Sequence, residues 1–216
     1  MKKLYITFMM ALLCWNAGAQ VKMGIRVSPA FCINRVEDKV DTDAYSFSAN
    51  GTKMRFSIGP SFDFKISDNV DFSTGLWYMS YRNGLKYSNN SDVYKESVSL
   101  QSVQVPVTFK VTTNEIATNL KIYVQFGGQA NLFFYEKYRD SDPKNSDYEN
   151  KYTFIDAAIY AGAGVNYLIG ETNEIYGGLY YNRGLVNLIQ NNDAVKYKDG
   201  MKYNTDLIGL EIGILF

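Results

Sequence analysis

Histidine is absent from all 216 residues, cysteine occurs twice and proline four times. Without an imidazole, a Ser-His-Asp or Cys-His nucleophile, a histidine general base and every histidine-containing metal site are excluded from this chain. Charge of one sign is missing as well. The 22 Lys and Arg balance 22 Asp and Glu, which leaves no long-range attraction for phosphate backbones and sets nucleic-acid binding aside. A membrane-crossing helix needs about 20 apolar residues, and the apolar run over residues 4–15 has only 12. Aromatic side chains are abundant instead, at 15% against 20% charged residues. Strong β-formers with little charge fit neither a disordered tail nor a charge-rich helical bundle, so an all-β architecture is expected.

Lys2 and Lys3 precede that apolar run, and Ala17, Gly18 and Ala19 follow it. Small side chains there suit signal peptidase, so residues 1–19 are expected to be a signal peptide cleaved before Gln20, leaving one domain over residues 20–216. A lipid-modified Cys14 is disfavoured by the bulk of Leu13 in front of it. With the leader removed, Cys32 is the remaining thiol, and no internal disulfide can staple the fold. Stability must come from a core, a closed sheet or a membrane.

Residues 53–66 decide the class. Met54, Phe56, Ile58, Pro60, Phe62, Phe64 and Ile66 are all apolar, while Lys53, Arg55, Ser57, Gly59, Ser61, Asp63 and Lys65 are polar or glycine. Only a strand, whose side chains alternate between two faces, sorts residues this way. The same alternation recurs around Val21–Val27, Val70–Tyr78, Val103–Val111, Ile122–Leu132, Ala157–Tyr167, Ile175–Tyr181 and Ile208–Phe216. That makes eight strands. Residues 67–69, 112–120 and 170–173 are brief links, whereas 34–52, 83–97, 136–151 and 190–204 are long and polar. Short and long connections alternate along the chain. This is the pattern of an eight-stranded antiparallel up-and-down transmembrane β-barrel with short periplasmic turns and long extracellular loops.

Inside hydrocarbon an unpaired backbone group costs several kcal/mol, so a sheet survives there only when closed on itself. A soluble periplasmic lipocalin-like barrel also alternates, with its apolar face inward, and periodicity alone does not say which face is inside. Three features favour the membrane. The strands exceed the roughly 5–6 residues usual in soluble sheets, the polar face is rich in Gly, Ser, Ala and Gln, and aromatics gather near strand ends at Tyr78, Tyr81, Phe133, Phe134, Tyr135, Tyr152, Phe154, Tyr180 and Tyr181, where interfacial girdles belong. The face carrying Phe56, Ile58, Val107 and Ile212 is therefore expected to meet lipid. Pro29, Pro60 and Pro106 each remove a ladder donor, so bulges or strand ends are expected there.

Five segments, residues 21–31, 100–111, 155–170, 184–188 and 208–216, resemble the PorT-like outer-membrane β-barrel family of Bacteroidetes-type bacteria. Residues 155–170 and 184–188 carry the resemblance most specifically, and Val105, Pro106, Val107 and Lys110 match the family's apolar-Pro-apolar strand ending in Lys. The resemblance implies residence in the cell outer membrane, contact with its lipid, and a non-enzymatic role in envelope integrity or recognition. The family's name-giving member is implicated in protein secretion, so an accessory part in a secretion or uptake machinery is the alternative. Outer-membrane barrel enzymes of similar size rely on a catalytic histidine, so no enzyme is expected here. The terminal Leu210, Ile212, Ile214 and Phe216 resemble the signal read by the barrel-assembly machinery during biogenesis.

Eight strands enclose a bore that side chains just fill. Arg26, Arg55, Asp63, Lys65, Trp77, Lys110, Gln125, Gln129, Asp156, Tyr160 and Glu211 are expected to crowd it. Buried charges must pair, so Arg26, Arg55 and Lys110 are expected to form a network with some of Asp63, Asp71, Asp156 and Glu211. Gly162-Ala163-Gly164 lacks the third glycine and the helix of a dinucleotide loop and reads as tight barrel packing. No cofactor or metal site is expected. The loops, with Asp140, Asp142, Asp147, Tyr148, Glu149 and Asn150, suit an envelope protein or glycan partner, and solvated variable loops are the plainer reading.

Overall fold

Segments with period two pair through their backbones, and their alternation is conserved only if neighbouring strands keep register. The computed structural model describes residues 21–37, 45–49, 53–89, 93–138, 153–170, 172–188 and 202–216. The expected cleavage site at Ala17, Ala19 and Gln20 and the loop residues from Asp140 to Asn150 lie outside them. Ten strands occur among the described residues: β1 (Val21–Glu37), β2 (Tyr45–Ala49), β3 (Lys53–Ser67), β4 (Val70–Gly75), β5 (Trp77–Asn89), β6 (Val93–Thr112), β7 (Leu120–Tyr138), β8 (Ile155–Ile169), β9 (Asn173–Gly184) and β10 (Lys202–Leu215). They make eight staves, because β2 continues the line of β3 and β5 continues that of β4. All pairings are antiparallel, and β1 closes the ring by pairing with both β3 and β10.

The prolines explain why one stave is broken. From Asp71 onward β4 and β5 keep one register with β3 and one with β6 across the break, but Leu76 between them lies outside both strands. Continuing these registers sets Leu76 opposite Pro60 on one side and Gly75 opposite Pro106 on the other. Each proline lacks the N–H that would reach across. Pro60 still accepts from the Leu76 amide at 3.1 Å, and Thr74 Oγ1 donates to the Pro106 carbonyl at 2.7 Å. Pro29 likewise interrupts the β1–β10 ladder between Val27↔Ile212 and Ala30↔Gly209 without a shift. The expected bulges or strand ends at these prolines are thus corrected to gaps in pairing. The register shifts that do occur lie between Lys65 and Ser67 and between Gln101 and Ser102.

Inside and outside follow the alternation. Phe56, Ile58, Val107 and Ile212 are 47, 43, 52 and 55% exposed, whereas Arg55 and Glu211 are 3 and 2% exposed. A wall of exposed Ile, Val, Leu and Phe running around every stave is far larger than a soluble monomer presents, and lipid is the solvent that suits it. One row of it, Phe64, Phe72, Phe109 and Phe126, packs ring to ring across four strands at 6.0–6.3 Å. Tyr78, Phe134, Tyr135, Phe154 and Tyr181 stand exposed toward the long-loop end. Phe133 and Tyr180, expected in the same girdle, are buried in the bore because they occupy inward positions on β7 and β9. The side chains of Tyr81 and Tyr152 lie outside the description.

Two further expectations are corrected. Residues 83–97, read as a long loop, are mostly strand: β5 and β6 stay paired from Asn83↔Val98 to Ser88↔Val93. The alternation fades there, yet the ladder continues, since backbone pairing does not need an apolar face. Lys65, expected in the lumen, is exposed at the rim, where Nζ lies 2.9 Å from Asp68 Oδ1 in the first short turn. The turns use residues that tolerate left-handed backbone, Asn119 at φ 62° and Gly170 at φ 71°.

Candidate functional site

Polar side chains pointing into a narrow bore have only one another as partners, and the lumen is where the chain concentrates its buried charge. Its middle is a layer centred on Arg26 of β1, whose guanidinium lies 3.8 Å from the Trp77 ring centroid and 4.7 Å from that of Tyr180. Arg26 Nε donates to Glu211 Oε2 at 3.0 Å and Nη1 to Ser57 Oγ at 3.4 Å. Glu211 also accepts from Tyr123 at Oε1 and from Tyr160 at Oε2, both at 2.7 Å. The Tyr160 and Tyr180 rings stack at 5.4 Å with 12° between planes. Seven strands thus meet on one charge pair and its aromatic clamp. Glycines make the room: a Cβ at Gly209 would meet the Tyr180 ring at 2.5 Å and one at Gly213 the Tyr176 ring at 2.4 Å.

On the short-turn side, Lys110 Nζ lies 3.2 Å from Asp63 Oδ2, whose other oxygen accepts from Ser73 Oγ at 2.6 Å. The ammonium also stands 4.7 and 5.0 Å from the ring centroids of Tyr123 and Tyr176. Asp71, opposite Lys110 in the β4–β6 ladder, is half-buried. Nearer the mouth, Glu174 pairs with Lys22 and accepts from Asn166 Nδ2 at 3.1 Å. A water-sized centre has about 20 Å³ in which to move within this half of the bore.

On the long-loop side, Arg55 donates to Cys32 Sγ. Asp156 accepts from Asn131 Nδ2 at 3.0 Å and from the Val186 amide at 3.3 Å. Asn131 in turn accepts from Gln104 at 3.1 Å and Gln129 at 2.7 Å. Leu188 closes this half, buried and held by its amide on the Tyr203 carbonyl at 2.9 Å. The corresponding free volume is about 10 Å³, the scale of one water.

The seven charges expected in one network therefore occupy three tiers. Arg26 with Glu211 lies in the middle, Asp63 and Lys110 with Asp71 toward the turns, and Arg55 and Asp156 toward the loops. Among these seven, Arg26 pairs directly with Glu211 and Lys110 with Asp63. Sequence reasoning missed the Lys22–Glu174 pair and the inward Tyr123, Tyr176 and Tyr180. The signal was available in parity: Gly209 and Gly213 share the Glu211 face, and small residues on one stave call for large ones on the next. Leu210, Ile212 and Phe216 stand exposed on the outer face, with Ile214 partly covered. Phe216 closes the last rung by exchanging hydrogen bonds with Met23 at 2.8 and 3.3 Å. Among the described residues no group of three or more His, Cys, Asp or Glu is disposed to hold a metal ion.

A family model described as outer membrane protein beta-barrel domain matches residues 16–190. Among solved structures, the outer membrane protein OprG from Pseudomonas aeruginosa is similar with a TM-score of 0.61 at 12% identity, covering 91% of this chain and 95% of that one. Neisserial surface protein A is similar with a TM-score of 0.48 at 15% identity, covering 91% and 97%. At such identities the OprG likeness is one of fold. No curated protein matches the sequence.

Proposed function

The chain belongs to the outer membrane protein beta-barrel domain family, and on that premise we propose that it is a non-enzymatic barrel of the cell outer membrane with a plugged lumen. Its contribution is to envelope integrity, or to recognition through the loops at its long-loop end. The observation that carries this is the Arg26–Glu211 layer clamped between Trp77, Tyr160 and Tyr180. Desolvated ions held by rings and phenols from opposite walls leave no path for solute. An eight-stranded bore has no width to spare for one.

In the same reading, residues 1–19 direct export and are removed before Gln20, the exposed aromatic end at Phe216 addresses the chain to the barrel-assembly machinery, and the short turns face the periplasm. The narrower PorT-like membership rests on residues 155–170 and 184–188 and on the Val105-Pro106-Val107 strand. An envelope protein or glycan is the partner class that the polar loops suit.

The test is transport. Liposomes carrying the refolded protein should not swell in small sugars, and those carrying Arg26→Ala should conduct small ions more readily in planar bilayers. Swelling with the wild-type protein would overturn the plugged-lumen reading, and recovery by osmotic shock without detergent would overturn the membrane one.

A further inference from the structure

Among the residues whose side chains are described, the charged groups at outward strand positions gather at one place on the wall. Moving toward the long loops, outward positions on β10 pass from Ile212, Leu210 and Ile208 to Asp206, those on β9 from Leu179 and Tyr181 to Arg183, and those on β1 from Phe31 and Ile33 to Arg35. The strands are adjacent, with Asp206 standing opposite both Arg183 and Ile33 in the ladders. Arg35 Nε lies 2.9 Å from Asp206 Oδ2, Tyr181 donates to the same oxygen at 3.0 Å, and Arg35 Nη2 donates to the Gly184 carbonyl at 3.0 Å. The carboxylate is thus paired with Arg35, and Arg183 flanks it from the neighbouring strand. One rung further out Glu37 faces Lys202, and their formal charges offset. Over these five ladder positions, Arg35, Arg183 and Lys202 against Asp206 and Glu37, the formal charges leave one positive in excess.

Its setting is what selects a partner. Ile33, Ile159 and Leu185 stand exposed around the arginines, so the charge sits at the upper edge of the lipid-facing wall, at the depth of Tyr181. An aromatic with its hydroxyl at a carboxylate and its ring among apolar neighbours is the arrangement of a membrane interface. We propose that Arg183 and Arg35, positioned by Asp206 and Tyr181, hold the anionic headgroup phosphate of an outer-leaflet lipid whose chains lie against Ile159, Leu179 and Ile208. This inference rests on the membrane reading above. The guanidinium fork matches a phosphate bidentately, and the headgroup supplies the second anion that Asp206 alone does not.

The experiment uses the refolded chain carrying Leu185→Trp as an outward reporter beside the patch. Its fluorescence is read in vesicles mixing phosphatidylcholine with phosphatidylglycerol, with one or the other brominated. Each arginine is worth about fivefold in preference for an anionic lipid near the surface, so brominated phosphatidylglycerol should quench preferentially. Arg183→Ala should reduce that preference about fivefold, and Arg183→Lys should retain most of it. Heat-modifiable migration of each variant checks that the barrel is intact. Equal quenching by both lipids, or a preference unchanged by Arg183→Ala, overturns the proposal. Loss of preference on adding inorganic phosphate also overturns it, since the site would then take the free anion. A reporter quenched by neither lipid overturns the membrane reading instead, which keeps the two failures apart.

Discussion

Replacing Arg26 by methionine removes the cation that, among the described residues, pairs with Glu211, while keeping an apolar stem of similar reach against Trp77 and Tyr180. Glu211 then remains 2% exposed, with the Tyr123 and Tyr160 hydroxyls at 2.7 Å and no counter-charge beside it. Breaking a buried pair by removing one partner costs about 3–5 kcal/mol, because the other charge is left uncompensated. Part of that is the stacked guanidinium itself, about 2 kcal/mol when desolvated. Glu211→Gln should cost a comparable amount by stranding Arg26 between the rings. The combination Arg26→Met with Glu211→Gln leaves no buried charge in the layer and should recover much of the loss, with a coupling energy of about 2 kcal/mol. Urea unfolding of the refolded barrel in vesicles measures all four corners of the cycle, and an unchanged slope shows that the same surface is exposed in each. Simple additivity, within about 0.5 kcal/mol, would refute the view that this pair and its aromatic clamp act as one plug.

Ile212→Arg places a charge midway along the apolar outer row that runs from Ile208 to Phe216 and should cost about 2–4 kcal/mol in vesicles; a neutral effect would mean that this face meets water. Gly209→Ala should destabilise by about 1–3 kcal/mol because its Cβ meets the Tyr180 ring at 2.5 Å, whereas Gly128→Ala, whose Cβ has its nearest neighbour at 3.9 Å, should be silent in the same assay. Lys65 holds the Asp68 carboxyl below the usual carboxylate range by a hydrogen bond and its charge. The contribution of this turn pair is therefore present at neutral pH and lost as pH falls through the lowered value. Both groups are solvated, so any Tm difference between wild type and Asp68→Asn should be small, confined to neutral pH, and removed by salt.

The alternation over residues 53–66 was enough to assign β3 and its two faces, and seven more such runs were enough to count the staves. Legibility failed wherever a residue's surroundings were set by another strand. Tyr180 and Phe133 read as girdle aromatics because they lie near strand ends, yet their parity aims them into the bore. Lys65 has inward parity, but the bore ends before it does. The extended β5–β6 hairpin was hidden because backbone pairing from Asn83↔Val98 to Ser88↔Val93 needs no apolar period in the sequence. Pro60 and Pro106 gave warning of trouble in β3 and β6, and the interruption fell instead on the stave between them, where the missing N–H groups point.

The sequence by itself determined that the chain forms long two-faced strands, how many staves it makes, and where short and long connections alternate, because period and turn chemistry are properties of neighbouring residues. Only the tertiary structure decided that the polar face turns inward and which charge meets which. Arg26 and Glu211 are 185 positions apart, and they meet because closing the sheet brings β1 and β10 side by side and gives every inward group the same narrow space in which to find a partner.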